Sequence, residues 1–464
     1  MLGSRELREV AVDDTAEFFA QLRAALAGEG PALLPRPAGW SGSSDELRGV
    51  TVPGDVALVI ETSGSTAAPK RVLLTAEGLM AGARATHLRL GGAHAGGEQW
   101  LLTLPAHYIA GAQVLVRSIV AGSEPVVASG EHFTPEGFIA DAARLTGERR
   151  YVSLVPVQLR RLVDAAREDA RVGAALARFH GILVGGQATP RELLAEARGL
   201  GWPVTTTYGS SETSGGAAYN AQPLPGVRMR QVDGELWVAS PSLAHGYLGD
   251  PERTAEAFVT DEADDRWYRT GDAGTVSGDG PWALGLDVEA TGTIAVTGRF
   301  DSVIISGGVK VNLDEVTLAA SSAGAFDEVV AVAVPSLEWG ERVALIAADP
   351  GVGEPIVDWP TPGLPAGDEV TTGPATRDLI SGDEPTFDQP TTYAASLSGL
   401  ALDPGEDARW QRIRSALAPL GAAARPALTA RIPELPRLAS GKPDRRALRE
   451  LAESLARSLE ADPT

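Results

Sequence analysis

Short apolar runs alternating with Ala- and Leu-rich stretches of helical character constrain this chain more than any other feature. From the N-terminus to about Val120, runs such as Val56 to Ile60 and Val72 to Leu74 separate such stretches. A strand covered on both faces reads as a continuous apolar run, so the alternation predicts α/β layers. The pattern continues with a buried strand at Tyr151 to Val155, an amphipathic helix at Val157 to Arg167, and a strand at Gly181 to Val184 that ends on Gly185-Gly186. Strand ends of that kind carry ligand loops. Between Gly234 and Arg299 the signal turns to β, with Glu235 to Ala239 and Thr293 to Thr297 set apart by Gly, Pro and Asp. The expected organisation is a large domain over residues 1–300 and a small one over 301–464.

A chain of 464 residues suits two unequal domains, because single cores stop growing at about 250 to 300 residues. Apolar residues make up 44% of it, yet no run approaches the roughly 20 that a membrane span requires. The start, MLGSRELREV, shows neither a secretory signal nor a lipidation site, so the cytoplasm is the expected compartment. There is no cysteine, which excludes disulfides, thiolate metal sites and a thioester on the protein's own sulfur. A formal charge of −21 opposes binding to nucleic acid or an anionic membrane. Asp349 to Ala408 is rich in Pro, Gly, Asp and Thr, and Arg377 is its only basic residue. Such a composition predicts an exposed, partly disordered acidic insertion at about 349–408 within the small domain. Helical patterning resumes at Trp410 to Leu420 and at Pro443 to Leu459, and no internal repeat is present.

Five local pieces carry chemistry. Thr62-Ser63-Gly64-Ser65-Thr66-Ala67-Ala68-Pro69-Lys70 follows one apolar strand and precedes another. Hydroxyls, backbone amides and one ammonium can wrap a polyphosphate there, although the segment alone also reads as a Ser/Thr-rich hairpin loop. Tyr208-Gly209-Ser210-Ser211-Glu212-Thr213 offers an aromatic face, hydroxyls and a carboxylate, a set suited to a purine, a phosphate and Mg²⁺. By itself it reads rather as a glycine-containing turn with a solvated Glu212. Tyr268-Arg269-Thr270-Gly271-Asp272 could hold a ribose through its aspartate. Gly298-Arg299-Phe300-Asp301, leading into Ser306-Gly307-Gly308-Val309-Lys310, supplies an arginine able to fork onto phosphate. Leu438-Ala439-Ser440-Gly441-Lys442-Pro443-Asp444 sets one lysine in a flexible loop before a helix. As isolated features, these last three also read as surface ion-pair residues and a helix cap.

In this order and spacing, the five pieces resemble the adenylate-forming enzymes, the family of acyl-CoA synthetases, firefly luciferase and adenylation domains. The resemblance runs from about Asp55 to Leu448, except for the acidic insertion. It implies a large N-terminal α/β domain with a small mobile α+β C-terminal domain, and ATP, Mg²⁺ and coenzyme A as reaction partners. It further implies that Ser63 to Lys70 is the phosphate loop, Tyr208 the adenine-stacking ring, Ser211 the phosphate-contacting hydroxyl and Glu212 the magnesium ligand. Asp272 then binds the ribose, Arg299 contacts the nucleotide, Asp301 lies at the hinge, and Lys442 touches the substrate carboxylate and the α-phosphate. Gly185-Gly186-Gln187 lies beside adenine and acyl group, and Gly307-Gly308 faces the pantetheine arm.

Leu104-Pro105-Ala106-His107-Tyr108-Ile109-Ala110-Gly111, continuing through Gln113 to Ser118, resembles the o-succinylbenzoate:CoA ligases of menaquinone synthesis. So do Ser153 to Leu159 and the Leu183-Val184-Gly185-Gly186 strand end. This resemblance places His107, Tyr108 and Gly111 near the acyl and thiol channel, with His107 or Gln187 as groups for a second substrate carboxylate. Three positions depart from the family's pattern: Ala67 replaces a loop glycine, Ser211 a threonine, and Tyr108 a histidine. If the segment is extended, His107 points away from the side Tyr108 faces. Other readings are a ligase for another aryl or fatty acid, an enzyme loading a carrier protein, and a nucleotide-binding scaffold.

Overall fold

The apolar runs of the first half become strands covered on both faces. Arg149–Leu154 and Gly181–Val184 pair in parallel, with Tyr151 opposite Gly181 and Leu154 opposite Val184. Glu98–Leu102 and Val126–Val127 extend the sheet on one side, and Val204–Ser210 joins in parallel on the other. Gly215–Tyr219 and Gln222–Pro223 then add antiparallel strands. Helices Pro135–Ala143, Pro156–Glu168, Ala170–Leu176 and Arg191–Gly199 cover one face, burying Phe138, Leu159, Leu162, Leu176 and Leu193 against Val152, Ile182 and Val204. Each fully buried leucine contributes about 1.5–3 kcal/mol, so these helices are held by their apolar stripes more than by propensity.

The computed structural model describes residues 3–42, 44–62, 69–91, 97–130, 132–277, 292–336, 339–353, 355–358, 401–402, 408–438 and 442–461. A second sheet runs Gly246–Tyr247, Lys70–Thr75, Val56–Thr62, Ala32–Arg36, Ser4–Ala11 and Thr51–Pro53. Helices Ala76–Arg89 and Ile109–Ala121 lie between the two sheets, where Leu79, Ala83, Val114 and Leu115 share one core with Leu58, Ile60, Leu74 and Trp100. Thr75 ends its strand by capping the first of these helices, accepting from the Gly78 N–H at 3.0 Å. A third sheet joins Arg228–Val232, Glu235–Ala239, Arg266–Ser277, Phe258–Thr260 and Thr293–Arg299.

The fourth sheet is built from later residues: Val309–Asn312, Val303–Ser306, Gly340–Ala348, Leu428–Ile432, Ile356–Asp358 and Ala401–Leu402, with Glu328–Ser336 beside Gly340–Ala348. Helices Leu313–Ser322 and Ala408–Leu417 cover one face. On the other, Leu448, Ala452 and Leu455 of Arg445–Ala461 repeat at helical spacing and are buried.

The strands expected at Gly181 to Val184 and Glu235 to Ala239 stand with those bounds. The acidic stretch differs from its expected extent. Ile356–Asp358 and Ala401–Leu402 pair in parallel with each other, and the former pairs antiparallel with Leu428–Ile432. The interval's two ends are therefore sheet, because Ile356 and Val357 give a short apolar run that the surrounding Pro and Asp obscure. Residues 359–400 and 403–407, where the rest of the expected insertion falls, lie outside the described residues. Among the described residues, no helix is long and apolar enough to cross a membrane.

Candidate active site

The parallel sheet delivers its loops to one edge: Val155 follows Arg149–Leu154, Gly185-Gly186 follows Gly181–Val184, and Tyr208 to Ser210 end Val204–Ser210. Gly185 has no room for a side chain, since a Cβ there would stand 2.1 Å from Thr207 Oγ1. Gly209 is tighter still, its Cβ position lying 1.9 Å from the Gly215 carbonyl oxygen. The pairing with Gly215–Tyr219 shifts register between Tyr208 and Gly209. Beyond it, Thr213 Oγ1 accepts from the Ser210 N–H at 2.9 Å and donates to Gly215 O at 2.6 Å. This tight turn buries both Ser211 and Glu212.

Tyr208 donates from Oη to Asp272 Oδ2 at 2.6 Å, and Arg299 Nη1 donates to Asp272 Oδ1 at 3.2 Å. Asp272 and Arg299 face each other on neighbouring strands of the third sheet. Burial pushes the Tyr208 phenol well above its ordinary range, and the Asp272 carboxylate adds to the shift.

Lys442 reaches this group from the far end of the chain. Its Cε lies 3.7 Å from the Cβ position of Gly186, a glycine at φ +87°. Burial lowers the pKa of the ammonium first, Arg299 lowers it further, and Asp272 and Glu212 oppose the drop. Residues 186, 212, 272, 299 and 442, far apart in sequence, thus share one electrostatic site. The lysine's loop is pinned by Leu438 N–H to Lys442 O and Asp444 N–H to Pro436 O, both 2.8 Å.

The base of the expected phosphate loop is equally fixed. Thr62 pairs with Lys70 and Glu61 with Arg71 across two antiparallel strands, and Thr62 Oγ1 donates to Lys70 O at 3.5 Å. Glu61 accepts from Arg36 at 2.8 Å and from Arg71 at 3.0 Å. The Lys70 ammonium sits 6.0 Å from the centre of the Tyr247 ring. Ser63, Gly64, Ser65, Thr66 and Ala67 lie outside the described residues.

His107 and Tyr108 do not point apart. Their segment is a turn, closed by Tyr108 N–H to Pro105 O at 3.2 Å, and the two ring centres are 4.2 Å apart. Burial lowers the His107 pKa and raises that of Tyr108, and His107 Nε2 is buried without a partner among the described residues. Gly111 lies against the turn, its Cβ position 2.3 Å from Pro105 O. Gln187 is exposed. Gly307 and Gly308, at φ +57° and +82°, form the tip of the hairpin between Val303–Ser306 and Val309–Asn312 in the fourth sheet. A Cβ on Gly307 would stand 2.4 Å from the Trp339 ring. Asp301 falls in the single turn Phe300–Ser302 that joins the third sheet to the fourth.

Two residues have no role legible in the sequence. Arg117 of Ile109–Ala121 is only 5% exposed and has no acidic partner among the described residues. It donates to Ser153 Oγ at 3.3 Å and Tyr219 Oη at 3.4 Å, lies 4.9 Å over Trp100, and leaves Nε without a partner among the described residues. Its spacing on an apolar helix was the available signal. Tyr247 donates from Oη to Glu212 Oε1 at 2.9 Å, across a separation that no local motif spans.

Comparison with known proteins identifies the family. The profile of the AMP-binding enzyme family matches residues 11–248. A protein named probable 2-succinylbenzoate–CoA ligase from Mycobacterium tuberculosis is 37% identical over 356 residues, 74% of this chain and 85% of its own length. The 2-succinylbenzoate–CoA ligase of Escherichia coli is 29% identical over 298 residues, 62% of this chain and 58% of its own. In fold, the chain resembles the o-succinylbenzoate CoA synthetase MenE of Bacillus subtilis, solved with the acyl-adenylate OSB-AMP. The TM-score is 0.60 at 20% identity, covering 95% of this chain and 83% of that one. The chain belongs to the AMP-binding enzymes and has the α/β fold of the adenylate-forming enzymes.

Proposed function

We propose that this protein is an AMP-forming acid:CoA ligase that joins o-succinylbenzoate to coenzyme A, a step of menaquinone synthesis in the cytoplasm. The observation that carries the reaction type is the insertion of Lys442 at Gly186, among Glu212, Asp272 and Arg299. For the acid, the M. tuberculosis relative supplies the class. Arg117 supplies a physical reason, because a buried guanidinium with no acid partner among the described residues suits a substrate carrying a second carboxylate.

A carboxylate is a poor electrophile at neutral pH, so the reaction begins with its attack on the α-phosphorus of ATP. Negative charge grows on the phosphoryl oxygens, and the Lys442 ammonium answers it. Pyrophosphate leaves, held by Lys70 and the loop that begins at Thr62. Tyr208 offers its ring to adenine, Asp272 its carboxylate to the ribose, and Ser211 its hydroxyl to phosphate in place of threonine's. In the second step the CoA sulfur attacks the mixed anhydride and AMP departs. The small domain of residues 301–464 turns about Asp301 between the steps, withdrawing Lys442 and bringing Gly307-Gly308 to the thiol.

Glu212 fits a magnesium ion. It is a buried carboxylate beside the nucleotide groups, and no cluster of three or more His, Cys, Asp or Glu able to hold a metal occurs among the described residues. One carboxylate, with the substrate's phosphates, is what Mg²⁺ commonly takes. When bound, the ion neutralises charge on the polyphosphate.

The direct test is o-succinylbenzoate-dependent exchange of pyrophosphate into ATP, compared with analogues lacking the aliphatic carboxylate. Exchange should favour the dicarboxylate by at least about tenfold, the worth of one charged hydrogen bond. Equal exchange would remove o-succinylbenzoate and keep the ligase.

A further inference from the structure

Tyr247 belongs to a strand of two residues, Gly246–Tyr247, that pairs with Lys70–Thr75 immediately after the phosphate loop. Its backbone is locked from both sides. Gly246 packs so closely on Thr254 that a Cβ would stand 2.5 Å from Thr254 Cγ2, and the Tyr247 N–H donates to Thr254 Oγ1 at 2.9 Å. The ring is 6% exposed and packs against Phe258 at 5.9 Å between centres. From this fixed position the phenol donates to Glu212 Oε1 at 2.9 Å, while the ring face lies 6.0 Å from Lys70 Nζ. The neighbouring Ala244 N–H also donates to the Glu212 carbonyl at 2.8 Å.

We propose that Tyr247 is a positioning residue for the metal–polyphosphate subsite, an inference that rests on the ligase reading above. Its hydroxyl occupies Glu212 Oε1 and so aims Oε2 at the divalent cation, and its ring indexes Lys70 to the same frame. A single side chain sets the spacing between the two groups that meet the polyphosphate. Hydrogen bonds to ligating carboxylates restrict their orientation, and losing such a bond weakens metal binding roughly ten- to a hundredfold.

Tyr247→Phe tests this, since it keeps the ring and its packing and removes only the donor. Mn²⁺ is the probe. Its affinity is read from the loss of free-ion paramagnetic resonance signal, with the protein in excess over α,β-methylene-ATP. The variant should bind Mn²⁺ about tenfold or more weakly. Pyrophosphate exchange should fall by a similar factor at low Mg²⁺ and recover at high Mg²⁺, and thioester formation from supplied acyl-adenylate should stay within twofold. Unchanged Mn²⁺ affinity in a folded variant overturns the proposal, and so does an equal loss in both half-reactions that Mg²⁺ does not rescue. Should Tyr247→Phe fail to fold, Tyr247→His carries the same measurement. It should bind Mn²⁺ more weakly than the native protein, and affinity equal to native would overturn the proposal. A native protein that binds Mn²⁺ and nucleotide but activates no acid would sink the ligase reading and leave this role of Tyr247 standing.

Discussion

Lys442 carries a charge that its surroundings both resist and use. Burial and Arg299 lower its pKa, while Asp272 and Glu212 hold it up. On the role proposed for it, the charged form serves acyl-adenylate formation, so that half-reaction should decline on the alkaline side at a pH below the ordinary lysine range. Thioester formation from supplied acyl-adenylate should lack that limb, and a shared alkaline limb would contradict the assignment. Lys442→Ala should slow adenylate formation by about 10²- to 10³-fold, the scale of losing one preorganised charged donor. Rapid-quench measurement of both half-reactions checks this, with the second expected to change severalfold at most. At Arg117 the expectation concerns specificity. Arg117→Gln should raise KM for o-succinylbenzoate by roughly 10- to 100-fold, given about 1.5–3 kcal/mol for a charged hydrogen bond. Benzoate, with no second carboxylate, should be activated no worse than before.

The elements that build the site were legible where they are local. Gly181 to Val184 reads as a buried strand because it is apolar throughout, whereas Tyr208 to Glu212 by itself reads as a glycine turn and gains a ligand role only through the resemblance carried by all five pieces. What the sequence hid is partnership across the chain. Gly246–Tyr247 is too short for periodicity to mark, yet it ties the phosphate loop's strand to Glu212. Arg117 sits among apolar neighbours and shows its meaning only once Ser153, Tyr219 and Trp100 surround it. The hidden ends of the acidic stretch follow the same rule, since strands of two or three residues are defined by pairing. Gly111 sets a testable limit on the helix Ile109–Ala121. Its neighbour is the Pro105 backbone carbonyl, which cannot swing aside, so Gly111→Ala should cost about 1–3 kcal/mol in urea unfolding. A change under 0.5 kcal/mol would show that the turn at His107 yields. Replacing residues 361–398 by a Gly/Ser linker of about 12 residues should leave activity unchanged, a length suited to joining the parallel strands Ile356–Asp358 and Ala401–Leu402. Loss of activity in a folded variant would assign the acidic stretch a role in turnover.

At the scale of the whole molecule, a chain of net charge −21 must bind two polyanions, ATP and coenzyme A. On the proposed reading it does so through cations drawn from distant segments, Lys70, Arg299 and Lys442 for the nucleotide and the buried Arg117 for the acid. Long-range attraction does not help such substrates, so affinity rests on these local groups, and salt should alter the capture of ATP only modestly. The central claim is that this constellation activates o-succinylbenzoate for transfer to a thiol. Its most direct test is mass-spectrometric detection of product from purified protein, ATP, Mg²⁺, coenzyme A and o-succinylbenzoate, beside benzoates and fatty acids. The account predicts o-succinylbenzoyl-CoA with stoichiometric AMP and a clear preference over the other acids. Turnover confined to another acid, or AMP released without any CoA thioester, would contradict it.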